Sequence, residues 1–236
     1  ESISGCGVHG TWSWTPNSFA AIGVARAASI TGPYTELDPF ALKPSQLEGD
    51  SDAWDWARVS EPNVFKRDDG KWIMLFMADK GNYDDPGNPN IYYIEQCSYA
   101  IADNITGPYT KWHNGAEPFI AFGAPGSLDA GTIADVHPVK FGSTYYLFYA
   151  ASPSTFGWST MYCTTTDWEN ITKSTSYIYT NESNSPFRGA ISEFNNTYYF
   201  SYLGSSSSSA GPFMICTQPM TGTAPGESIY GADAVF

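Results

Sequence analysis

Short runs of apolar and aromatic residues, each preceded by turn residues, recur along the chain. The clearest follow Asp-Asp-Gly, Phe-Gly-Ser and Asn-Asn, and they cover residues 71–76, 144–149 and 197–202. Runs of this length, rich in aromatic and β-branched side chains and bounded by turns, predict β-strands. No stretch of helical length keeps a 3.6-residue apolar period. The pattern therefore predicts an all-β fold.

Each of these runs is predicted to be the second strand of an antiparallel three-strand module. The predicted strands are 61–65, 71–76 and 94–102; then 135–139, 145–149 and 161–168; then 188–191, 198–202 and 213–218. A module of roughly 50 to 75 residues has the size of a propeller blade, in which four-stranded sheets repeat around a central channel.

A six-residue phrase occurs twice and marks the end of a module. Ile-Thr-Gly-Pro-Tyr-Thr occupies residues 30–35 and returns unchanged at residues 105–110, each time after a strand of small residues. A repeat of this size means that one supersecondary unit is used twice. The phrase therefore predicts that the same unit closes two modules.

The two ends of the chain resemble parts of modules. Residues 1–37 hold only later strands, and residues 231–236 resemble the first strand at 61–65. We therefore expect one propeller domain over residues 1–236, incomplete in this chain. The expected blades cover residues 1–45, 46–125, 126–180, 181–230 and the start of another at 231–236. The alternative is a closed ring whose last blade joins both ends, with Phe236 beside residues 10–14.

The charge of the chain excludes some partners. Its net charge is −13, with 11 Lys and Arg among 236 residues, so a phosphate backbone would repel it. The longest apolar runs, such as residues 72–78, are too short to span a bilayer, which predicts no membrane insertion. Aromatic residues make up 16% of the chain. Most are expected in strands, and some can serve as platforms for sugar rings.

Glycosylation sequons and cysteines favour a secreted protein. Asn-x-Ser/Thr occurs at Asn104, Asn170, Asn181 and Asn195. Cys97, Cys163 and Cys216 fall on the predicted third strands, where buried free thiols at equivalent sites are one interpretation. Cys6, near a chain end, is the strongest candidate for a disulfide, and its partner cannot be derived from the sequence.

The modules resemble the five-bladed β-propeller glycoside hydrolases of family 43 and its relatives. That family repeats Asp-Pro-x-Val-Phe, acidic residues, Gly-Lys and then Tyr-Tyr-Leu. Residues 61–72 are similar to this pattern with Glu in the first place, and residues 135–147 are similar to it with Asp kept. Both Gly-Pro-Tyr phrases are similar to the family's Gly-Pro-Phe phrase. The resemblance implies carboxylate acid/base hydrolysis of a polysaccharide.

The resemblance also implies roles for two carboxylates. Asp135 matches the family's Asp that orients the substrate and tunes the acid's pKa, and Glu61 lies at the same place one blade earlier, as acid or second tuner. The family's base would lie on an inner strand outside these residues. Its acidic Glu would lie near Arg188, where the chain has no carboxylate; the nearest is Glu193.

Five other residues are candidates for substrate binding. Trp54 and Trp56 alternate just before Glu61, which predicts one shared face that stacks on sugar rings or packs between blades. His137 could bind a sugar hydroxyl or pack in the core, and His9 could line the central well. Arg188 could pair with Asp135 or bind an acidic sugar.

No cofactor or catalytic metal is predicted. Asp84 and Asp85 could hold a structural calcium ion, although a solvated turn is the simpler interpretation. No Cys/His spacing indicates zinc. We therefore expect a secreted propeller that hydrolyses a plant- or algal-type polysaccharide of the arabinan or xylan class. The alternative is a non-catalytic carbohydrate-binding or structural propeller of an extracellular assembly. The sugar, the linkage and the oligomeric state are not predicted.

Overall fold

A computed structural model describes residues 19–50, 52–80, 95–153, 158–178, 187–194, 197–205 and 213–219. Within these ranges the regular structure is almost entirely β. The strands are β1 Ile22–Arg26, β2 Thr35–Leu42, β3 Arg58–Lys66, β4 Trp72–Asp79, β5 Gln96–Ala102, β6 Thr110–Lys111, β7 Thr132–Phe141, β8 Thr144–Ser152, β9 Ser159–Thr165, β10 Thr172–Lys173, β11 Phe187–Phe194, β12 Thr197–Ser205 and β13 Phe213–Pro219. Two short 3-10 turns, Ser45–Glu48 and Trp112–Gly115, complete the description. None of the described helices is long and apolar enough to cross a bilayer.

The strands form antiparallel sheets in chain order. β3 to β6 make one four-stranded sheet, β7 to β10 make a second, β11 to β13 make a third, and β1 pairs with β2. The first strands of successive sheets contact one another, β3 with β7 and β7 with β11. This is the blade arrangement of a propeller, with the first strand of each blade innermost. The predicted all-β propeller fold is confirmed.

The repeated phrase builds the same turn twice. Gly32 and Gly107 adopt φ of 79° and 85° and precede cis prolines. A Cβ on Gly32 or Gly107 would lie 3.1 Å from the ring of the tyrosine two residues later. Glycine has no Cβ, so it avoids this close contact. The hydroxyls of Tyr34 and Tyr109 each donate to the carbonyl of the isoleucine that opens the phrase, at 3.0 and 2.9 Å. The two phrases therefore form the same turn, one between β1 and β2 and the other between β5 and β6, which confirms the predicted reuse of one unit.

The cores lie between neighbouring blades. The largest cluster fills the space between the sheet of β3–β6 and the sheet of β7–β10. Its fully buried members include Ile73, Leu75, Cys97, Ile120, Ile133, Leu147 and Tyr149. A second cluster packs β1 and β2 against the opposite face of β4 and β5. Because the sheet of β3–β6 is covered on both faces by these two clusters, the residues of β4 form a continuous buried run and do not alternate between buried and exposed.

The cysteines share the third strand but not the same position along it. Cys97 and Cys163 are free and fully buried. Cys97 pairs with Met77 and Cys216 with Tyr202, each five residues after the first residue of its second strand, whereas Cys163 pairs with Leu147, three residues after it. The expectation of equivalent sites is therefore wrong for Cys163, because a shared strand does not fix a shared register. Cys6 lies outside the described residues.

A buried ion pair ties the outer strand of one blade to the turn before its inner strand. The Lys111 ammonium lies 2.7 Å from the Asp55 carboxylate, and the two side chains are 6% and 0% exposed. Ser45 donates to the other Asp55 oxygen at 2.6 Å, and Glu48 accepts from Lys111 at 3.0 Å. Charges this deep are stable only when they are paired and hydrogen-bonded, as here.

The next blade repeats this device. Lys173, on β10, lies 2.5 Å from Asp129, which is 2% exposed and accepts from Ser127 at 2.9 Å. Gly123 closes over this carboxylate, and a Cβ there would lie 2.1 Å from both Asp129 Oδ1 and Ser127 Oγ. The position therefore requires glycine on steric grounds.

We expect Gly123→Ala to destabilise the protein by about 1–3 kcal/mol, because the new methyl group displaces the Asp129 carboxylate from its partners. Urea denaturation of both proteins measures the difference. Gly126→Ala is the control: it has open space around the Cβ and a φ of 90°, so it carries only the left-handed backbone penalty. A loss below about 1 kcal/mol in Gly123→Ala would contradict the steric explanation.

Candidate functional site

Three inner strands carry a β-bulge at the same place. In β3, Glu61 and Pro62 lie opposite Phe76 alone; in β7, Asp135 and Val136 lie opposite Tyr149; in β11, the register skips Arg188 and Gly189 opposite Tyr202. A bulge redirects a side chain out of the regular ladder and is common beside active sites. The bulge positions of consecutive blades are therefore residues 61, 135 and 188.

The two carboxylates sit at strained backbone positions. Glu61 has a φ of 54° and Asp135 a φ of 53°, in the left-handed region that L-residues other than glycine avoid. Each position costs about 1–2 kcal/mol relative to ordinary strand geometry. Both side chains are half-buried, and Oε2 of Glu61 is fully covered. The same strain at the same place in two neighbouring blades supports a functional reason for it.

The Cys97 thiol lies at the seam between the two bulges. It donates to the Ile133 carbonyl at 3.6 Å, two residues before Asp135. Burial raises the pKa of Cys97 well above its usual value, and the charges of Asp135, Glu61 and Glu95 raise it further. The thiol therefore stays protonated, and the three carboxylates all lie within electrostatic reach of it.

An arginine at the start of β3 holds two more carboxylates beside Glu61. Arg58 donates to Asp79 and to Glu95, each at 2.6 Å. The pKa of Glu95 is raised, mainly by burial. Arg58 acts to lower this pKa, and the charge of Glu61 acts to raise it. The sequence analysis missed this network. The only sequence signal for it was a lone arginine three residues before Glu61, in a chain that is poor in cations.

His137 joins three inner strands instead of facing solvent. Its Nε2 donates to the Ile191 carbonyl at 3.3 Å, since a carbonyl can only accept, and its Nδ1 accepts from the Asn63 amide at 2.8 Å. Both ring nitrogens are engaged by protein groups, so a sugar hydroxyl would have to displace one of them. The predicted role in sugar binding stays untested, and the geometry favours the packed alternative.

Burial lowers the pKa of His137 below its ordinary value of 6.5. Between the two pKa values the unfolded chain binds the proton and the folded chain does not. Stability is therefore full above pH 6.5 and falls as the pH drops through that value. We expect His137→Gln, whose amide can keep both hydrogen bonds, to reduce the loss of urea resistance between pH 7 and pH 5. His113→Gln, at a 49% exposed side chain, is the control, and an unchanged loss in His137→Gln would contradict this assignment.

The tryptophan pair lies in a turn, not in a strand. Residues 52–57 precede β3 and have no strand geometry, so the predicted alternation onto one face is wrong. Trp54 stacks on Phe76 with the ring centroids 6.2 Å apart and donates to the Gly115 carbonyl at 3.0 Å. Trp54 therefore packs in the core. Trp56 is half-buried, and its role as a sugar platform stays a prediction.

Several predicted residues lie outside what the structure describes. His9, the Asp84–Asp85 pair, Asn181 and Asn195 lie outside the described residues, as do the side chains of Arg188 and Glu193. Asn104 and Asn170 are exposed in the loops between the third and fourth strands of consecutive blades. Among the described residues, no group of three or more His, Cys, Asp or Glu side chains is arranged to hold a metal ion.

Comparison with known proteins adds the fold family. No protein-family model and no curated protein matches the chain. Among solved structures, a thermostable family-43 glycoside hydrolase superposes with a TM-score of 0.63 at 13% identity, covering 91% of this chain and 68% of that one. The chain has the fold of these propeller hydrolases.

Two further structures support the same fold. An endo-1,4-beta-xylanase from Bacteroides thetaiotaomicron gives a TM-score of 0.61 at 14% identity, with coverage of 90% of this chain and 68% of that chain. An endo-arabinase from the same organism gives 0.55 at 12% identity, with 79% and 63% covered. The chain spans less than two thirds of the endo-arabinase, and at these identities the likeness concerns the fold alone.

Proposed function

We propose that this chain is a secreted glycoside hydrolase that acts on a plant- or algal-type polysaccharide of the arabinan or xylan class. The observation that supports it most is the pair of carboxylates, Glu61 and Asp135, at equivalent left-handed bulges of adjacent inner strands. The fold neighbours include a protein described as an arabinase and one described as a xylanase. The exposed sequons Asn104 and Asn170 support passage through a secretory pathway.

The chemistry assigns these carboxylates separate tasks. Hydrolysis breaks the bond between the anomeric carbon and the glycosidic oxygen, which leaves with a proton from a carboxylic acid. A water oxygen bonds to the anomeric carbon and gives its proton to a carboxylate base. Asp135 orients the sugar and, by like-charge repulsion, raises the pKa of the acid. Glu61, one blade earlier, is the acid or a second tuning group.

One observation favours a second candidate function. The third bulge carries Arg188, a residue type that cannot donate a proton near neutral pH. A propeller with two carboxylates and one cation at its bulges could bind a glycan without cleaving it. The alternative is therefore a carbohydrate-binding propeller with no hydrolytic activity.

A paired assay separates the two functions. The intact protein is incubated with arabinan and with xylan, and reducing ends and binding to the same polysaccharides are both measured. Release of reducing ends supports the hydrolase. Binding without release establishes the non-catalytic function, and neither binding nor release contradicts both.

A further inference from the structure

A pocket opens between the outer strands of two blades, away from the bulges. Its volume is about 470 Å³, within the range of small-molecule sites. One wall comes from the end of β2 and the residues after it, and the other from the second Gly-Pro-Tyr phrase and β6. Its lining residues include Phe40, Leu42, Lys43, Glu48, Tyr109 and Thr110. Glu61, Asp135 and the other residues of the bulges do not line it.

The apolar part of the lining includes two rings. Pro108 contributes its ring from one blade and Phe40 contributes its ring from the other, with the Lys43 ammonium 5.7 Å from the centroid of the Phe40 ring. Tyr109 is 8% exposed and packs in the core, and its hydroxyl donates to Ile105, so Tyr109 offers little surface to a ligand. Ring faces of this kind suit the C–H face of a sugar, which is apolar on one side and carries hydroxyls around its edge.

The polar part of the lining offers both donors and acceptors. Lys111 at the floor is already neutralised by Asp55, so it adds no free positive charge. Glu48 is about half exposed at 51% and offers carboxylate oxygens, while Lys43 offers an ammonium group near Phe40. With both signs present and the deepest charge paired, the lining fits a neutral polyhydroxy ligand better than an anion or a cation.

The rim of the pocket is a strained segment. Asn114 lines the pocket with a φ of 57°, and its neighbour His113 has a φ of 45°. Trp54 donates to the carbonyl of the next residue, Gly115, at 3.0 Å and fixes the segment to the core. Consecutive left-handed residues other than glycine cost free energy and are often found at ligand clamps. Here they place Asn114 in the lining of the pocket.

We propose that this pocket is a second, non-catalytic glycan site that holds another part of the polysaccharide bound at Glu61 and Asp135. The inference rests on the proposed function for the identity of the polymer. A chain that occupies both sites gains avidity, because the second contact is intramolecular. A short oligosaccharide that reaches only one site gains none. The polymer should therefore bind more tightly than a short oligosaccharide of the same sugar.

The repeated phrase supplies a matched pair of variants. Thr110 lines the pocket and is exposed, and Thr35 is the same residue in the first copy of the phrase, also exposed but outside the lining. Each pairs with the residue at the same place on its third strand, Thr110 with Ile101 and Thr35 with Arg26. Thr110→Trp fills the pocket on a strand that tolerates aromatic residues, and Thr35→Trp adds the same bulk elsewhere.

The test measures affinity for arabinan or xylan, and for a trimer of the same sugar, by titration calorimetry on the intact protein. We expect Thr110→Trp to lower the ratio of polymer affinity to trimer affinity by at least about tenfold, and Thr35→Trp to leave it unchanged. An unchanged ratio in Thr110→Trp, or an equal fall in Thr35→Trp, overturns the second site while the bulge site stands. A wild-type protein that binds neither polymer nor trimer overturns both proposals.

Discussion

Replacing Asp135 with asparagine is expected to lower polysaccharide hydrolysis by about 10²-fold, the size of effect that misplacing a substrate by about 1 Å produces. Asparagine is the residue of choice because it tolerates the left-handed backbone that Asp135 adopts, at a φ of 53°. The bulge of β7 is therefore kept while the negative charge is removed. Without that charge the acid's pKa is no longer raised by repulsion, and the orienting hydrogen bond to the sugar is weakened.

The measurements are the rate of reducing-end release and the pH profile of the reaction. Loss of the repelling charge should lower the pKa of the alkaline limb, so activity falls off at a lower pH. Asp103→Asn, at a side chain that is 78% exposed in a loop, is the control for removal of a charge. Equal rates for wild type and Asp135→Asn would show that Asp135 has no part in the reaction. A lower rate with an unshifted pH profile would limit its role to orienting the substrate.

The fold was predictable because a propeller repeats itself in sequence. The aromatic second strands, the turns before them and the doubled Gly-Pro-Tyr phrase each occur more than once at blade spacing. Each copy confirms the others, so even weak strand signals add up. The two copies of the phrase adopt the same turn, with the same tyrosine hydrogen bond. Repetition of local structure is the part of this architecture that a single sequence carries.

The site was less predictable because its geometry depends on contacts between blades. A bulge leaves no sequence signature here: Glu61-Pro62 and Asp135-Val136 look like ordinary strand residues. The wrong expectation of a shared face for Trp54 and Trp56 assumed strand periodicity in what is a turn. Arg58 meets Asp79 and Glu95 only after two hairpins have formed, and His137 meets Asn63 and Ile191 across blade boundaries. None of these pairs is near in sequence.

The carboxylates at the inner strands and those at the outer strands have different surroundings. At the inner strands, burial raises the pKa of Glu95 and of the Cys97 thiol, and repulsion from Glu61, which has a strained backbone, raises both further. At the outer strand, each buried carboxylate has its own lysine and serine. Groups with shifted pKa values are typical of functional sites, whereas buried carboxylates that are paired with lysines stabilise the fold. The outer networks therefore hold the blades while the inner strands carry the strain.

The second large effect is expected when the buried ion pair between Lys111 and Asp55 is removed. Lys111→Ala is expected to destabilise the protein by about 3–5 kcal/mol, because it leaves the fully buried Asp55 carboxylate without its ammonium partner. Lys71→Ala removes an ion pair with Asp103 in which the two side chains are 45% and 78% exposed, and should cost less than about 1 kcal/mol. Urea denaturation at pH 7 measures both variants.

A double variant gives the same prediction a second readout. In Lys111→Ala the Asp55 carboxylate, 0% exposed, is left without its ammonium partner. Adding Asp55→Asn replaces that buried charge with a neutral amide, so the double variant should recover part of the stability that Lys111→Ala loses. Urea denaturation at pH 7 compares the single and the double variant. A loss in Lys111→Ala as small as that of Lys71→Ala would mean that water reaches Asp55, and that the outer ion pair does not hold the blade.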